Sequence, residues 1–221
     1  MYARLEYSRN DFGEAFNQRF ETTRIKASKL QPSFELCSKL ANKSPHFLTS
    51  IVFPEMMRYS EIKDGIESES LKVLYVQLGQ QYADFSIGPF QMKPSFAEYI
   101  EEKVSLLLDS TVRKELNLAY NSDSPEGIRQ ERVNRLMDQE WQQVYLTAFV
   151  LLCDQFYKEK IFQSELEKMQ WYAAVYNGGF DKSREWIRKK IEQAEVFLKS
   201  EQTISQFNYG AIATLYIKAA R

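Results

Sequence analysis

The chain holds one histidine, two cysteines and 30 aspartates and glutamates in 221 residues. That inventory narrows the chemistry. Any nucleophile–histidine arrangement must use His46, and a zinc site rich in His and Cys has only His46, Cys37 and Cys153, far apart in sequence, to draw on. If the chain is an enzyme, carboxylates are its natural actors, and Glu55 stands out among them. Phe47, Ile51, Glu55 and Tyr59 follow one another at spacing four, with Leu48, Val52 and Met56 beside them, so a helix there carries one acid within an apolar face. Burial penalises the charged form of a carboxyl, which lets it keep its proton near neutral pH and act as a general acid. The plain alternative is a partly buried glutamate paired with Arg58 or a nearby lysine. A glycosidase of the usual kind needs a second carboxylate. Asp84 is the first candidate, with Asp64, Glu67 and Glu69 behind it, and each reads first as a solvated loop charge.

The elements that must hold these groups are mostly helices. Eight Gly and six Pro leave few tight turns, which favours helices over a many-stranded sandwich or barrel. Phe12, Phe16, Phe20 and Ile25 suggest an N-terminal helical stripe. Ser44-Pro45 reads as the start of the helix that carries Glu55, and Pro54 should kink or end it just before the acid. Leu71–Leu78 fits either a short strand pair or a helix. Ser95 with Glu98 forms a capping-box pattern for a helix running to about Leu118. Residues 126–160 make two helices or one bent one, with Leu146–Leu152 central and buried. Ser164 with Glu167 is a second capping-box pattern, for a helix through Trp171, Tyr172 and Tyr176 that ends at Gly178-Gly179. Trp186, Ile187, Ile191, Ala194 and Leu198 mark an amphipathic helix, and Ala211–Ala220 a last one.

Three segments, taken in order, form a pattern. They are Phe53-Pro-Glu-Met-Met-Arg-Tyr59, Gly88-Pro-Phe-Gln-Met-Lys-Pro-Ser-Phe-Ala97 and Ala173-Ala-Val-Tyr-Asn-Gly-Gly179. Together they resemble the soluble lytic transglycosylases and goose-type lysozymes, in which a glutamate closes a helix and is followed by Gly-Leu-Met-Gln-Ile with Pro-x-Thr/Ser-Ala, then by Ala-Tyr-Asn-Ala-Gly. Gly88, Gln91, Pro94, Ser95 and Ala97 fall on the second motif, and Tyr176, Asn177 and Gly179 on the third. The chain departs from the family at Met56, where the family has Ser. It also departs at Tyr82 and Phe85-Ser86, at Pro89-Phe90 in place of Leu-Met, and in the longer gap between Glu55 and Gly88. Three of the eight Gly and three of the six Pro lie in these segments.

The resemblance implies a mainly α, lysozyme-like (α+β) fold. It would be a helical bundle around a buried central helix, with a small lobe, β-stranded in one version, over a glycan cleft. Residues 1–43 would form an N-terminal helical extension and 44–221 the catalytic domain. It implies cleavage of the MurNAc-β-1,4-GlcNAc bond of peptidoglycan with Glu55 as general acid and then base. Attack by the 2-acetamido carbonyl and closure through the C6 hydroxyl would give a 1,6-anhydro end. A lysozyme-like hydrolase and an inactive glycan-binding scaffold of the same fold are the alternatives. Gln91, Phe90, Tyr176, Asn177, Tyr172 and Tyr82 would contact sugar, Tyr176 would orient Glu55, and no metal or cofactor is needed.

Bulk properties add bounds. Net charge is −1, so no overall basic field points to nucleic acid. The 13 Tyr and 15 Phe read first as core and second as sugar-stacking surfaces. No run reaches the roughly 18 apolar residues of a membrane span. A peptidoglycan enzyme belongs in the cell envelope or periplasm, so a signal or lipid anchor is expected to have been removed from this chain. Cys37 and Cys153 could pair there; two cysteines alone do not decide it.

Overall fold

The computed structural model describes residues 13–59, 65–193, 195–199 and 204–220. In chain order its elements are α1 (Glu14–Leu30), a 3-10 turn (Gln31–Phe34), α2 (Glu35–Ala41), α3 (Pro45–Tyr59), α4 (Gly65–Leu78), α5 (Pro94–Leu107), α6 (Ser110–Leu116), α7 (Pro125–Met137), α8 (Gln139–Phe156), α9 (Glu165–Gly178), α10 (Arg184–Glu192), β1 (Glu195–Lys199), β2 (Ile204–Phe207) and α11 (Tyr209–Ala219). The protein is mainly helical. The two strands pair antiparallel, Glu195 opposite Phe207 and Lys199 opposite Ile204, with an irregularity between Val196 and Leu198.

One device starts most of these helices. A short polar side chain accepts the backbone N–H groups that the first turn leaves unpaired. Asp109 takes Thr111 and Val112, Ser124 takes Gly127, and Asp138 takes Glu140 and Trp141. Ser164 takes Glu167, Ser183 takes Trp186 and Asn208 takes Ala211. Asp138 thus divides the 126–160 stretch into two helices, as its length suggested.

The helices group into two compact units. One gathers α1, α3, α9, α10, the hairpin and α11; the other gathers α2 and α4 to α8. In the first unit every residue from Phe47 to Met57 is buried, so α3 is an interior helix. Phe53 stacks on Tyr216 of α11 at 4.4 Å and meets Phe20 of α1 edge-on at 5.1 Å. Along α1 the buried positions are Phe16, Phe20, Thr23, Ala27 and Leu30, a regular helical stripe that leaves Ile25 exposed. Phe12 lies outside the described residues. In the second unit α8 is the interior helix, buried from Tyr145 through Val150 and again at Leu152 and Cys153. Cys37 and Cys153 are both buried and form no disulfide. Among the described residues no helix is long and apolar enough to cross a membrane.

Of the two readings of Leu71–Leu78 the helix holds: the segment lies in α4, where Leu71, Leu74 and Tyr75 share a helical face that packs with Ala83 and Val133. Other expectations need correction. The Ser95–Glu98 box does not form. Asp84 reaches in from the preceding loop to accept from the Ser95 N–H (3.0 Å) and hydroxyl (2.9 Å), and Glu98 is drawn to Tyr75 and Arg132. That helix ends at Leu107, with α6 following as a separate turn. The amphipathic helix around Trp186 stops at Glu192; Leu198 is in β1, and Ala194 lies outside the described residues.

Candidate active site

Pro54 does not end α3, which runs through it to Tyr59. A proline lacks the N–H that would bond the carbonyl four residues back, and it loosens the adjoining turn. Here the hydroxyl of Tyr209, at the start of α11, donates to the Ile51 carbonyl at 3.2 Å and supplies a donor to that turn. Glu55 follows at once and is only 6% exposed.

Three groups of the first unit address the Glu55 carboxylate. Arg58, one turn on, donates Nη1 to both oxygens at 3.2 and 3.3 Å, its own side chain 48% exposed. Asn177 of α9 donates Nδ2 to Oε1 at 3.5 Å, the long limit of a hydrogen bond. Tyr176 is half-buried, and burial followed by the negative charge of Glu55 pushes its phenol well above the ordinary tyrosine pKa. Tyr209 is shifted the same way, by burial first and then by Glu55 and Tyr176. Both phenols therefore stay protonated, as donors, throughout the neutral range. Sequence reasoning anticipated Tyr176, Asn177 and Arg58 and missed Tyr209. The only local signal for Tyr209 was its place directly after the helix-capping Asn208.

The Ala173–Gly179 segment holds its shape for a visible reason. Gly179 adopts φ +95°, ending α9, and a Cβ on Gly178 would fall 2.2 Å from the Trp186 ring. The indole lies directly over the backbone next to Asn177, which only glycine permits.

Tyr172 requires a correction. It is fully buried, edge-on to both Phe47 and Phe162 at 6.1 Å, and presents no face to a sugar. It is a packing residue of the first unit.

In the second unit Ile87 and Met92 exchange backbone bonds of 2.8 and 3.1 Å and close a turn over Gly88-Pro-Phe-Gln91. Gln91 adopts φ +52°, donating its N–H (3.0 Å) and its side-chain Nε2 (2.9 Å) to the Gly88 carbonyl. Gln91 remains partly exposed. Phe90 does not: its ring is fully buried against Phe34, at 6.2 Å, and its N–H donates to Gln142 at 2.9 Å. Neither its ring nor its amide is open to an acetamido group, which corrects that expectation. Tyr82 is 62% exposed. Asp84 caps α5 and lies 3.6 Å from Lys93, so its carboxylate is a structural acceptor and not a second acid. Glu69 pairs with Lys72 at 2.6 Å. Asp64 and the side chain of Glu67 lie outside the described residues.

A second constellation in this unit was not foreseen. Arg132 donates Nε and Nη2 to Glu101 at 2.6–3.0 Å and Nη1 to Tyr75 (2.7 Å) and Glu98 (3.1 Å). Tyr75 donates its hydroxyl to Glu98 at 2.7 Å, Tyr145 donates to Glu101 at 2.6 Å, and Tyr120 donates to the same Glu101 carboxylate. Arg132 and Glu98 also line an open depression of about 440 Å³ with Gly79, Gln81 and Arg129. Among the described residues no three His, Cys, Asp or Glu side chains gather as a metal site. The chain matches no protein-family profile, no curated protein and no solved structure.

Proposed function

We propose that this protein cleaves the MurNAc-β-1,4-GlcNAc bond of peptidoglycan, in the cell envelope, with Glu55 as general acid and then base on a lysozyme-like scaffold. The observation that carries the reading is the meeting of Glu55 with Tyr176 and Asn177. The carboxyl sits at the end of an interior apolar helix, and the two neighbours come from the segment that resembles Ala-Tyr-Asn-Ala-Gly, more than a hundred residues away. A buried acid can retain a proton for the leaving oxygen, and the protonated Tyr176 phenol, near enough to respond to its charge, can donate to it once it is ionised, while Tyr209 spends its proton on the Ile51 carbonyl. With Asp84 committed to a helix cap, substrate assistance by the 2-acetamido group supplies the missing nucleophile. The ionised Glu55 then takes the proton of the C6 hydroxyl and leaves a 1,6-anhydro end.

Purified protein incubated with bacterial sacculi should release muropeptides, and Glu55→Gln should lower the rate at least about a hundredfold. Equal release by wild type and Glu55→Gln would sink the proposal. Mass spectrometry of the products separates 1,6-anhydro from reducing ends, and so a transglycosylase from a hydrolase.

The Arg58 pair favours a second reading, a glycan-binding protein of this fold without turnover. A guanidinium on both carboxylate oxygens stabilises the ionised form, which is the wrong form for a general acid. Glycan binding without cleavage across pH 4–8 would establish that alternative; any Glu55-dependent cleavage removes it.

A further inference from the structure

The open depression of about 440 Å³ in the second unit is lined by residues outside all three motif segments, and two of its charged groups are held by the fold without being used up. Glu98 of α5 is the first. Its Oε1 accepts from Tyr75 at 2.7 Å and from Arg132 Nη1 at 3.1 Å, while Oε2 accepts from no described residue, and the side chain is 26% exposed. Arg129 of α7 is the second. Its Nε donates to the Val76 carbonyl at 2.7 Å and its Nη2 to the Gln77 carbonyl at 2.9 Å, both in the last turn of α4. Capping those carbonyls takes two of the five N–H groups of a guanidinium. Both hydrogens of Nη1 and one of Nη2 are left without a partner among the described residues, and no described carboxylate pairs with Arg129.

Both groups are fixed before any ligand arrives. Buried Arg132 anchors Glu98 and is itself anchored on Glu101, and the α4 carbonyls anchor Arg129. Their side-chain freedom is already spent, which lowers the cost of binding. The charges also select the ligand. Arg132 is balanced by Glu98 and Glu101 and offers no net charge of its own. A simple anion would satisfy Arg129 but meet the Glu98 carboxylate in the same depression, and a simple cation would satisfy Glu98 but meet Arg129. A molecule carrying both signs satisfies both. Leu78, Pro125 and Ile128 add an apolar lining, and the volume is within the range of small-molecule sites.

We infer that this depression binds a small zwitterion with an apolar side chain, a free amino acid or a dipeptide, its carboxylate on the Arg129 guanidinium and its ammonium on Glu98. The carboxylate takes the charge-assisted pairing that a guanidinium favours, and the ammonium supplies the donor that Glu98 Oε2 lacks. Arg132 is then a positioning residue, which holds Glu98 for the ligand without touching it. The site lies wholly within the second unit and is independent of the proposed cleavage by Glu55.

The test titrates the full chain with leucine and with leucyl-leucine and follows the backbone amides by NMR. The amides of Gly79, Gln81 and Ile128 should shift saturably, with a Kd at or below about 1 mM for the tighter of the two, which also gives the length of the ligand. Derivatives of that ligand lacking one charge read the polarity on the unaltered protein. Its N-acetyl form and its C-terminal amide should each bind at least about tenfold more weakly. Glu98→Gln keeps an acceptor for Tyr75 and Arg132 but removes the charge. It should weaken the zwitterion at least about tenfold and leave the N-acetyl form within about threefold of its wild-type Kd. Arg129→Gln should likewise erase the difference between the zwitterion and its amide. No saturable shift at about 10 mM, ten times the expected bound, overturns the inference, as does equal binding of the zwitterion and either single-charge form. Inorganic phosphate that shifts the same amides as tightly as the zwitterion shows a plain anion site and overturns it too. If a variant loses the dispersed spectrum of the folded chain, the comparison of ligands on the wild-type protein decides alone.

Discussion

Replacing Arg132 by methionine isolates the buried ionic network of the second unit. The guanidinium is 8% exposed and makes five hydrogen bonds of 2.6–3.1 Å, three of them to Glu101, whose side chain is 13% exposed. Methionine keeps the stem's packing and deletes the charge. Glu101 is then left with only the Tyr145 and Tyr120 hydroxyls against its negative charge, whereas Glu98, 26% exposed, can turn to water. Stranding one member of a buried pair costs about 3–5 kcal/mol. For a chain of this size that corresponds to a melting temperature lower by roughly 6–20 °C. Urea titration and thermal melts followed by circular dichroism measure it. The companion variant Glu101→Gln leaves Arg132 with Glu98 as its charged partner and should cost less. The double variant, in which the only charge left without Arg132 is the partly exposed Glu98, should be at least about 1.5 kcal/mol more stable than the sum of the two predicts. A single-variant cost below about 1 kcal/mol, or strict additivity, would refute the view that Arg132 and Glu101 depend on one another.

Three further outcomes follow from the geometry. Tyr209→Phe removes the donor to the Ile51 carbonyl beside Pro54 and should cost about 1 kcal/mol in urea titration; a change within 0.3 kcal/mol, taken as about the error of such a fit, would show that the carbonyl finds another partner. Gly178→Ala drives a methyl into the Trp186 ring and should cost about 1–3 kcal/mol despite alanine's better helix propensity, with the loss relieved by Trp186→Leu. Alkaline titration should show late ionisation of Tyr176 and Tyr209, since burial raises both phenols in the folded state. The unfolded chain releases those protons near pH 10 and the folded chain does not. Their stabilisation is thus complete below about pH 10 and declines as pH rises above it. Phenolate absorbance that rises with a normal midpoint before any loss of helix would contradict this.

Local signals were legible wherever one residue served a neighbour in sequence. Ser44-Pro45, Ser124, Ser164 and Gly179 announced helix ends because caps act within three residues. The expectations that failed were those in which a distant group took over a local role. Pro54 was expected to kink or end α3, and the helix does not end there; a hydroxyl from Tyr209 tends the loosened turn. Glu98 should have closed a capping box, but Arg132 and Tyr75 claim it, and Asp84 does the capping. Tyr172 and Phe90 stood in motif segments and turned out to be interior rings, since motif position specifies a neighbourhood and not which side chain faces outward. Glu55 does meet Asn177 and lies close enough to Tyr176 to shift its phenol, and what pointed to that meeting was the order of the segments, since periodicity alone carries no long-range information. Tyr209, Gln142 and the Arg132 network had no such marker, each depending on partners more than thirty residues away.

The first unit is discontinuous along the chain, and this sets an order of events at the ribosome. Helix α3 is buried from Phe47 to Met57 and mostly apolar, yet its partners α9 and α11 are synthesised long after it. Between Tyr59 and Ala219 lie about 160 residues, which at typical elongation rates take on the order of 8–30 s. Over that interval α4 to α8 emerge and can close a core with the earlier α2 first, while the nascent chain carries an unsheltered, strongly apolar helix. Such a segment is a natural client for holdase chaperones, and the residue proposed for bond cleavage sits in its last turns. The surroundings of Glu55 would then be complete only once α11 has been made, so that a product terminated before α11 would be unable to assemble them.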